Sequence, residues 1–271
     1  LKVEFDAPKG IVKGVVTHLF TPLRRGVDSI VFDALKISIK SATLNGKSLR
    51  FRSTDSTVIV YPSPALSWGS TDSIIFNYEA TPRKGLYFIG WNTEVKNTKE
   101  MGATHKQIWT QGQAIDNRAW IPMYDDANDK FITETIITFD KDYQVLSNGT
   151  KVSEKNNSNG TKTWHYTMTH PHAGYLLMLG IGKYSIENRT SKSGVPVHLW
   201  YYTDYPERME PTYRYSTEAI DFLEEQTGVP YPWESYSQIP VQEFTFGAME
   251  NTTATVFGDF SQVDALSPGE T

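Results

Sequence analysis

The 271-residue chain contains no cysteine. That excludes disulfides, thiolate metal clusters and a cysteine nucleophile in this stretch, and it leaves the compartment open. No apolar run approaches the ~20 residues a membrane-spanning helix needs. Gly-rich loops of phosphate-binding spacing and a Gly-x-Ser-x-Gly nucleophile elbow are also missing. The histidines are His18, His105, His165, His170, His172 and His198, and none has a second His four residues on with a Glu directly after the first. The helical zinc-binding pattern is therefore absent. His170-Pro171-His172 brings two imidazoles close, but Pro171 reads as a turn and no carboxylate flanks the pair. A formal net charge of −5 gives no broad basic footprint, which argues against nucleic acid as a partner. Arg24-Arg25 reads as a solvated turn.

What is present is average for a globular protein: 39% apolar and 21% charged residues, with aromatics at 13%. The aromatic share favours strands around a packed sandwich core. The length fits one domain plus part of another. "LKVEFDAP" alternates as a strand, without the charged start and apolar run of a signal peptide, and an opening without Met fits a processed or engineered chain. Five Asn-x-Ser/Thr triplets, at Asn148, Asn156, Asn159, Asn188 and Asn251, are what chance gives in a polar surface.

Alternation predicts strand after strand. Ile37, Ile39, Leu44, Leu49 and Phe51 flank Asn45-Gly46, a two-residue hairpin signal. Strands are also expected at 57–61, 72–80, 130–140, 161–169 and 174–186, with a loop at 62–71 and an exposed hairpin tip at 153–162. The pattern implies a mainly β chain that opens with an antiparallel β-sandwich or saddle. After about residue 186 the pattern changes. "VPVHLWYYTDYP" reads as one more strand. Residues 211–227 then read as a helix, with Pro211 in its first turn, Tyr215, Ala219, Phe222 and Leu223 at helical spacing, and Gly228 at its stop. Loop and strand follow, closing at a Pro268-Gly269 turn. We divide the chain into a β domain, 1–186, and the start of an α/β domain, 187–271. Asp125-Asp126 and Glu224-Glu225 read as solvated acids at a turn and on a helix face, because glycosidase chemistry needs acids facing across a cleft.

One acid stands apart. In "EFTFGAMENTTATVFGDF" Glu250 follows two small residues, Gly247 and Ala248, then Met249. Small residues let a ligand backbone come close, an extended segment pairs with a peptide as an added strand, and a carboxylate at its end grips a cationic amine. On these letters alone, a buried and satisfied Glu remains the competing reading.

"GAMEN" is similar to the Gly-x-Met-Glu-Asn motif of the gluzincin zinc aminopeptidases, the family of aminopeptidase N and leukotriene hydrolase. "GVPYPWESYSQIPVQEFTFGAMEN" at 228–251, "TQGQAIDNRAWIPMYDDANDKF" at 110–131, "KGLYF" at 84–88 and "HAGYLLMLGIGKYSI" at 172–186 resemble the family in its order. The resemblance implies a thermolysin-like catalytic domain beginning after the β domain. It also implies that Glu250 binds the free α-amine of a peptide substrate. Gly247, Ala248 and Met249 then contact the substrate backbone, Asn251 fixes the loop, and Gln111 and Gln113 line the amine and first side-chain pocket. Gln at 113, not Glu, is closer to the leukotriene hydrolase and aminopeptidase B side of the family. Ala127 departs from the family's usual Pro. The family's His-Glu-x-x-His helix and its further ligands follow this motif and are not within the 271 residues. The expectation is thus a zinc enzyme at full length, with no zinc bound and no activity in this chain alone. A non-catalytic scaffold of the same fold, or a carbohydrate- or protein-binding sandwich with a fortuitous match, are the alternatives.

Overall fold

The computed structural model describes residues 1–91 and 104–264. The Pro268-Gly269 turn lies outside them. Alternating apolar residues produce an eight-stranded sheet with the order Thr150–Asn156, Thr161–Ala173, Lys130–Asp140, Lys2–Asp6, Ile11–Phe20, Asp72–Ala80, Ser38–Leu44, Lys47–Ser48. Its neighbours are antiparallel except Lys2–Asp6 with Lys130–Asp140. A three-stranded sheet, Ile30–Asp33, Thr57–Tyr61 and Arg50–Ser53, packs beside it, and a four-stranded sheet runs Gln144–Ser147, Leu179–Gly182, Gln107–Thr110, Leu86–Ile89. The expected Asn45-Gly46 hairpin is present, with φ of 48° and 79° at the two turn residues. Both are the positive values that such a turn demands.

A five-stranded sheet follows, ordered Tyr184–Thr190, Pro196–Tyr202, Tyr236–Val241, Ala254–Gly258, Ala248–Met249. Pro196–Tyr202 and Tyr236–Val241 are parallel, so the chain must cross over between them. It does so through the helix Ser216–Thr227, closed by Gly228, whose N–H bonds the Glu224 carbonyl at 2.9 Å. One buried cluster runs from Val3, Phe76 and Trp164 through Ile108 and Trp109 to Ile239, Met249 and Val256. The β-sandwich and the start of the α/β unit therefore share a core.

Four expectations need correction. The strand foreseen at 174–186 is broken: Gly174–Leu176 turns, Leu179–Gly182 joins the four-stranded sheet, and Tyr184–Thr190 joins the next sheet. The junction drawn between 186 and 187 thus falls inside a strand. The helix foreseen at 211–227 is two helices, Met209–Tyr213 and Ser216–Thr227. Arg189 takes the Tyr213 carbonyl at 2.9 Å, so that group is not left to continue the first helix. The second helix also faces the other way. Tyr215, Phe222 and Leu223 are exposed, while Ile220 is buried. Ser216 bonds Gln238, and Glu224 accepts the Tyr231 N–H at 2.7 Å, so the inward stripe is 216, 220, 224. Third, Pro171 lies inside the strand Thr161–Ala173, not at a turn. There the register against Lys130–Asp140 shifts between Phe131 and Thr133, and the pairing with Thr150–Asn156 has stopped at Thr167, an irregular stretch of the kind that tolerates proline. Structure also supplies the carboxylate that sequence lacked, since Glu234 bonds His170 at 2.9 Å. Fourth, Asp125 is buried, not solvated. Its carboxylate accepts the Arg118 N–H at 2.9 Å, and burial raises its pKa to about 6.

Buried histidines give the fold a pH dependence. His18 donates from Nε2 to the Pro122 carbonyl at 2.8 Å, and burial lowers its pKa from 6.5 to about 4. His172 is lowered to about 4 by the same cause. Unfolded chains protonate these rings near 6.5 and the native state resists until 4, so stability falls as pH drops through that window. We expect a loss on the order of 3 kcal/mol per ring. Asp125, whose native pKa is raised, takes up its proton earlier in the folded state and opposes the trend. Melting curves from pH 7 to 4 should be flatter for His18→Gln/His172→Gln and steeper for Asp125→Asn. An unchanged slope in the double variant would count against the two histidines.

Candidate functional site

The strand Gln107–Thr110 is central in its sheet, with Leu86–Ile89 on one side and Leu179–Gly182 on the other. It delivers Gln111 to the sheet's end, where its N–H bonds the Gly85 carbonyl at 3.0 Å. Gln111 is buried, and its Oε1 has no hydrogen-bond partner. Buried amide oxygens rarely go unpaired, so this one is available to a water or a ligand. Gln113 is exposed. Gly112, between them, lies against the side chain of Asn117, whose Nδ2 donates to the Gly174 carbonyl at 2.8 Å and whose Oδ1 accepts the Trp120 indole N–H at 2.8 Å.

Residues 247–251 form the outer edge of the five-stranded sheet. Ala248 and Met249 pair antiparallel with Phe257 and Val256, and the Gly247 carbonyl accepts the Gly258 N–H at 3.1 Å. Among the described residues no strand lies on their other side. Alternation then sorts the side chains: Ala248 out, Met249 in, Glu250 out. Met249 is 1% exposed and belongs to the common core, so it presents its backbone and not its side chain. Glu250 is exposed and makes no side-chain hydrogen bond or ion pair with a described residue. A buried, satisfied Glu is thus not what the fold provides. Asn251 is buried, its carbonyl accepts the Ala254 N–H at 3.0 Å, and its Nδ2 reaches the Met249 carbonyl at 3.5 Å.

The two segments are tied together on one side by Gln242. Its N–H bonds Gln107 Oε1 at 2.9 Å, and its carbonyl accepts the Trp109 indole N–H at 3.1 Å. Trp109 also meets Phe244 edge-on, with centroids 5.4 Å apart. On the other side Asn148 Nδ2 donates to the Thr252 carbonyl at 2.6 Å. Sequence reasoning missed Gln107, Gln242 and Asn148, because single polar letters in strand-like surroundings carry no signal of a partner more than a hundred residues away. Asn148 and Asn251 are both buried, which removes their triplets as glycan acceptors in the folded protein. Among the described residues no group of three His, Asp or Glu side chains could hold a metal ion. The residues described do not form a zinc site. A surface cleft lined by residues including Lys106, Asp142, Lys183 and Asp204 contains none of the candidate residues.

Gly247 is informative by contrast with its surroundings. A Cβ added there meets nothing within 4 Å, so the fold does not require glycine at this point. We expect Gly247→Ala to leave the melting temperature of the chain within about 1 °C of the parent. A large drop would mean that a packing demand, and not open space, keeps the glycine.

The geometry is that of a β-sandwich braced against the first sheet of an α/β unit, with an edge strand at their junction that no other described strand covers and that ends in a carboxylate without a partner among the described residues. Residues 1–176 match the peptidase M1 N-terminal domain, and residues 212–263 match the peptidase family M1 domain. The chain belongs to the peptidase M1 family. It is 27% identical over 235 residues to a leucyl aminopeptidase of Saccharolobus solfataricus, covering 85% of this chain and 28% of that protein. It is 23% identical over 265 residues to a leukotriene A-4 hydrolase of Xenopus laevis, covering 94% of this chain and 42% of the relative. Aminopeptidase A of Legionella pneumophila, solved in complex with aspartic acid, shares the fold at a TM-score of 0.78 and 16% identity, over 94% of this chain and 30% of that one. The chain therefore spans less than half the length of each of these relatives. Among the described residues no helix is long and apolar enough to cross a membrane.

Proposed function

We propose that this chain is the N-terminal part of a zinc-dependent aminopeptidase that removes N-terminal residues from peptides. The observation that carries the proposal is the Glu250 carboxylate, exposed and, among the described residues, without a partner at the end of an edge strand. A peptide laid along Gly247, Ala248 and Met249 adds a strand there, and its α-ammonium ends against Glu250. Gln111, with its unpaired Oε1, and the exposed Gln113 supply further acceptors for the amine. Asn251 fixes the turn behind the carboxylate. An anchor that reads a free amine sets the cleavage point near the chain end, which makes the enzyme an exopeptidase. Zinc in the full-length protein supplies a polarised carbonyl and an activated water when bound. None of its ligands is assigned among the described residues.

The test compares the 271-residue chain with the protein from its complete gene, using an aminoacyl p-nitroanilide. We expect turnover by the full-length protein, reduced at least about tenfold by a zinc chelator and restored by added zinc. We expect no turnover by the 271-residue chain. A full-length protein without chelator-sensitive activity would leave a scaffold of the same fold. Turnover by the short chain, free of contaminating protease, would show that the chemistry resides elsewhere.

A further inference from the structure

We propose that Asn148 is the positioning residue for the Glu250 carboxylate, acting from the N-terminal β domain across the junction to the edge strand. The proposal rests on Glu250 as the amine anchor. Asn148 lies between the strands Gln144–Ser147 and Thr150–Asn156, 104 residues from the turn it holds. Its side chain is fully engaged. Oδ1 accepts the Met178 N–H at 2.7 Å, and Nδ2 donates to the Leu176 carbonyl at 2.9 Å and the Thr252 carbonyl at 2.6 Å. Thr252 is two residues beyond Glu250.

The next residue adds a second bond. Gly149 N–H donates to Thr253 Oγ1 at 2.6 Å. Thr253 holds a φ of 65°, which a β-branched residue keeps only where its surroundings impose it. The Thr253 carbonyl in turn accepts the Ser237 N–H at 2.7 Å. So the turn 251–253, which reverses the chain directly behind Glu250, takes its shape from the N-terminal domain as well as from its own hairpin.

The same backbone serves the other half of the site. Asn117, which packs against Gly112 between the two glutamines, bonds the Gly174 carbonyl at 2.8 Å and approaches the Leu177 carbonyl at 3.3 Å. Asn148 bonds Leu176 and Met178. Residues 174–178 are therefore a common spine, read by one buried amide on behalf of the glutamines and by another on behalf of Glu250. Hydrogen bonds weaken steeply when distance and angle drift, so an anchor on an edge strand needs such a reference.

The test is a double-mutant cycle in the full-length enzyme, read as KM and kcat on an aminoacyl anilide. In the Glu250 background, Asn148→Ala should raise KM about tenfold and change kcat by less than about threefold. In the Glu250→Gln background the same substitution should cost less than about twofold, because the group it positions is gone. Asn148→Asp keeps an acceptor for Met178 and loses the donors, so it should resemble Asn148→Ala. If the Asn148 variants do not fold, Thr253→Val tests the second bond in the same cycle, with a smaller loss of about threefold expected only when Glu250 is present. Equal losses in both backgrounds would overturn the positioning role while leaving the Glu250 effect standing. Glu250→Gln without effect would overturn the amine anchor itself, and the positioning role with it.

Discussion

Glu250→Gln in the full-length enzyme should lower kcat/KM for substrates with a free N-terminal amine by about 10- to 150-fold. That range is a charged hydrogen bond of about 1.5–3 kcal/mol converted to a rate ratio. Gln keeps the shape and one acceptor oxygen and removes the charge, so the loss reports attraction for an ammonium group. The fold makes the experiment clean. Glu250 is exposed and unbonded to any described side chain, so its replacement removes no contact, and the melting temperature should stay within about 1 °C. Any loss of activity is then a loss of ligand handling. A rate unchanged within twofold would end the amine-anchor role, whatever the protein's other properties.

The strand framework was legible because alternation against a buried face is a strong local signal. The strands foreseen at 57–61, 72–80 and 130–140 are the observed Thr57–Tyr61, Asp72–Ala80 and Lys130–Asp140. The helix was legible in place but not in orientation. Its inward stripe, Ser216, Ile220 and Glu224, has one strong hydrophobe, while Phe222 and Leu223 face outwards, so periodicity of apolar letters pointed to the wrong face. Asp125 and the His170-Pro171-His172 run were misread for a related reason, since their partners Arg118, Asp33 and Glu234 come from loops and distant segments. At the candidate site, the five letters 247–251 drew notice as small residues before an acid. Their edge-strand setting and their attachment through Gln242 and Asn148 depend on which strands become neighbours. No window of sequence contains that information.

The same junction gives the largest expected stability effect, at Gly149. This residue has a φ of 79°, where an L side chain costs about 1–2 kcal/mol. Space is worse than conformation: an added Cβ would lie 2.0 Å from the Thr167 backbone carbonyl oxygen and 2.6 Å from its carbon. Those atoms cannot rotate away as a side-chain end could. Thr167 is paired with Thr150 in the strand ladder, so relief requires either that the Thr161–Ala173 strand shift or that the Gly149 loop lift. The first breaks pairing in the eight-stranded sheet. The second releases the Thr253 hydroxyl and the Ser235 hydroxyl bonded to the Gly149 carbonyl. Gly149→Ala should therefore cost about 3 kcal/mol or more, roughly 6–12 °C in melting temperature for a chain of this size. Gly247→Ala, on the open side of the same junction, should cost almost nothing, because only one of the two glycines answers to the protein's own packing. A Gly149→Ala chain that melts within a degree of the parent would show that the loop has room to move and that close packing against Thr167 does not fix its position.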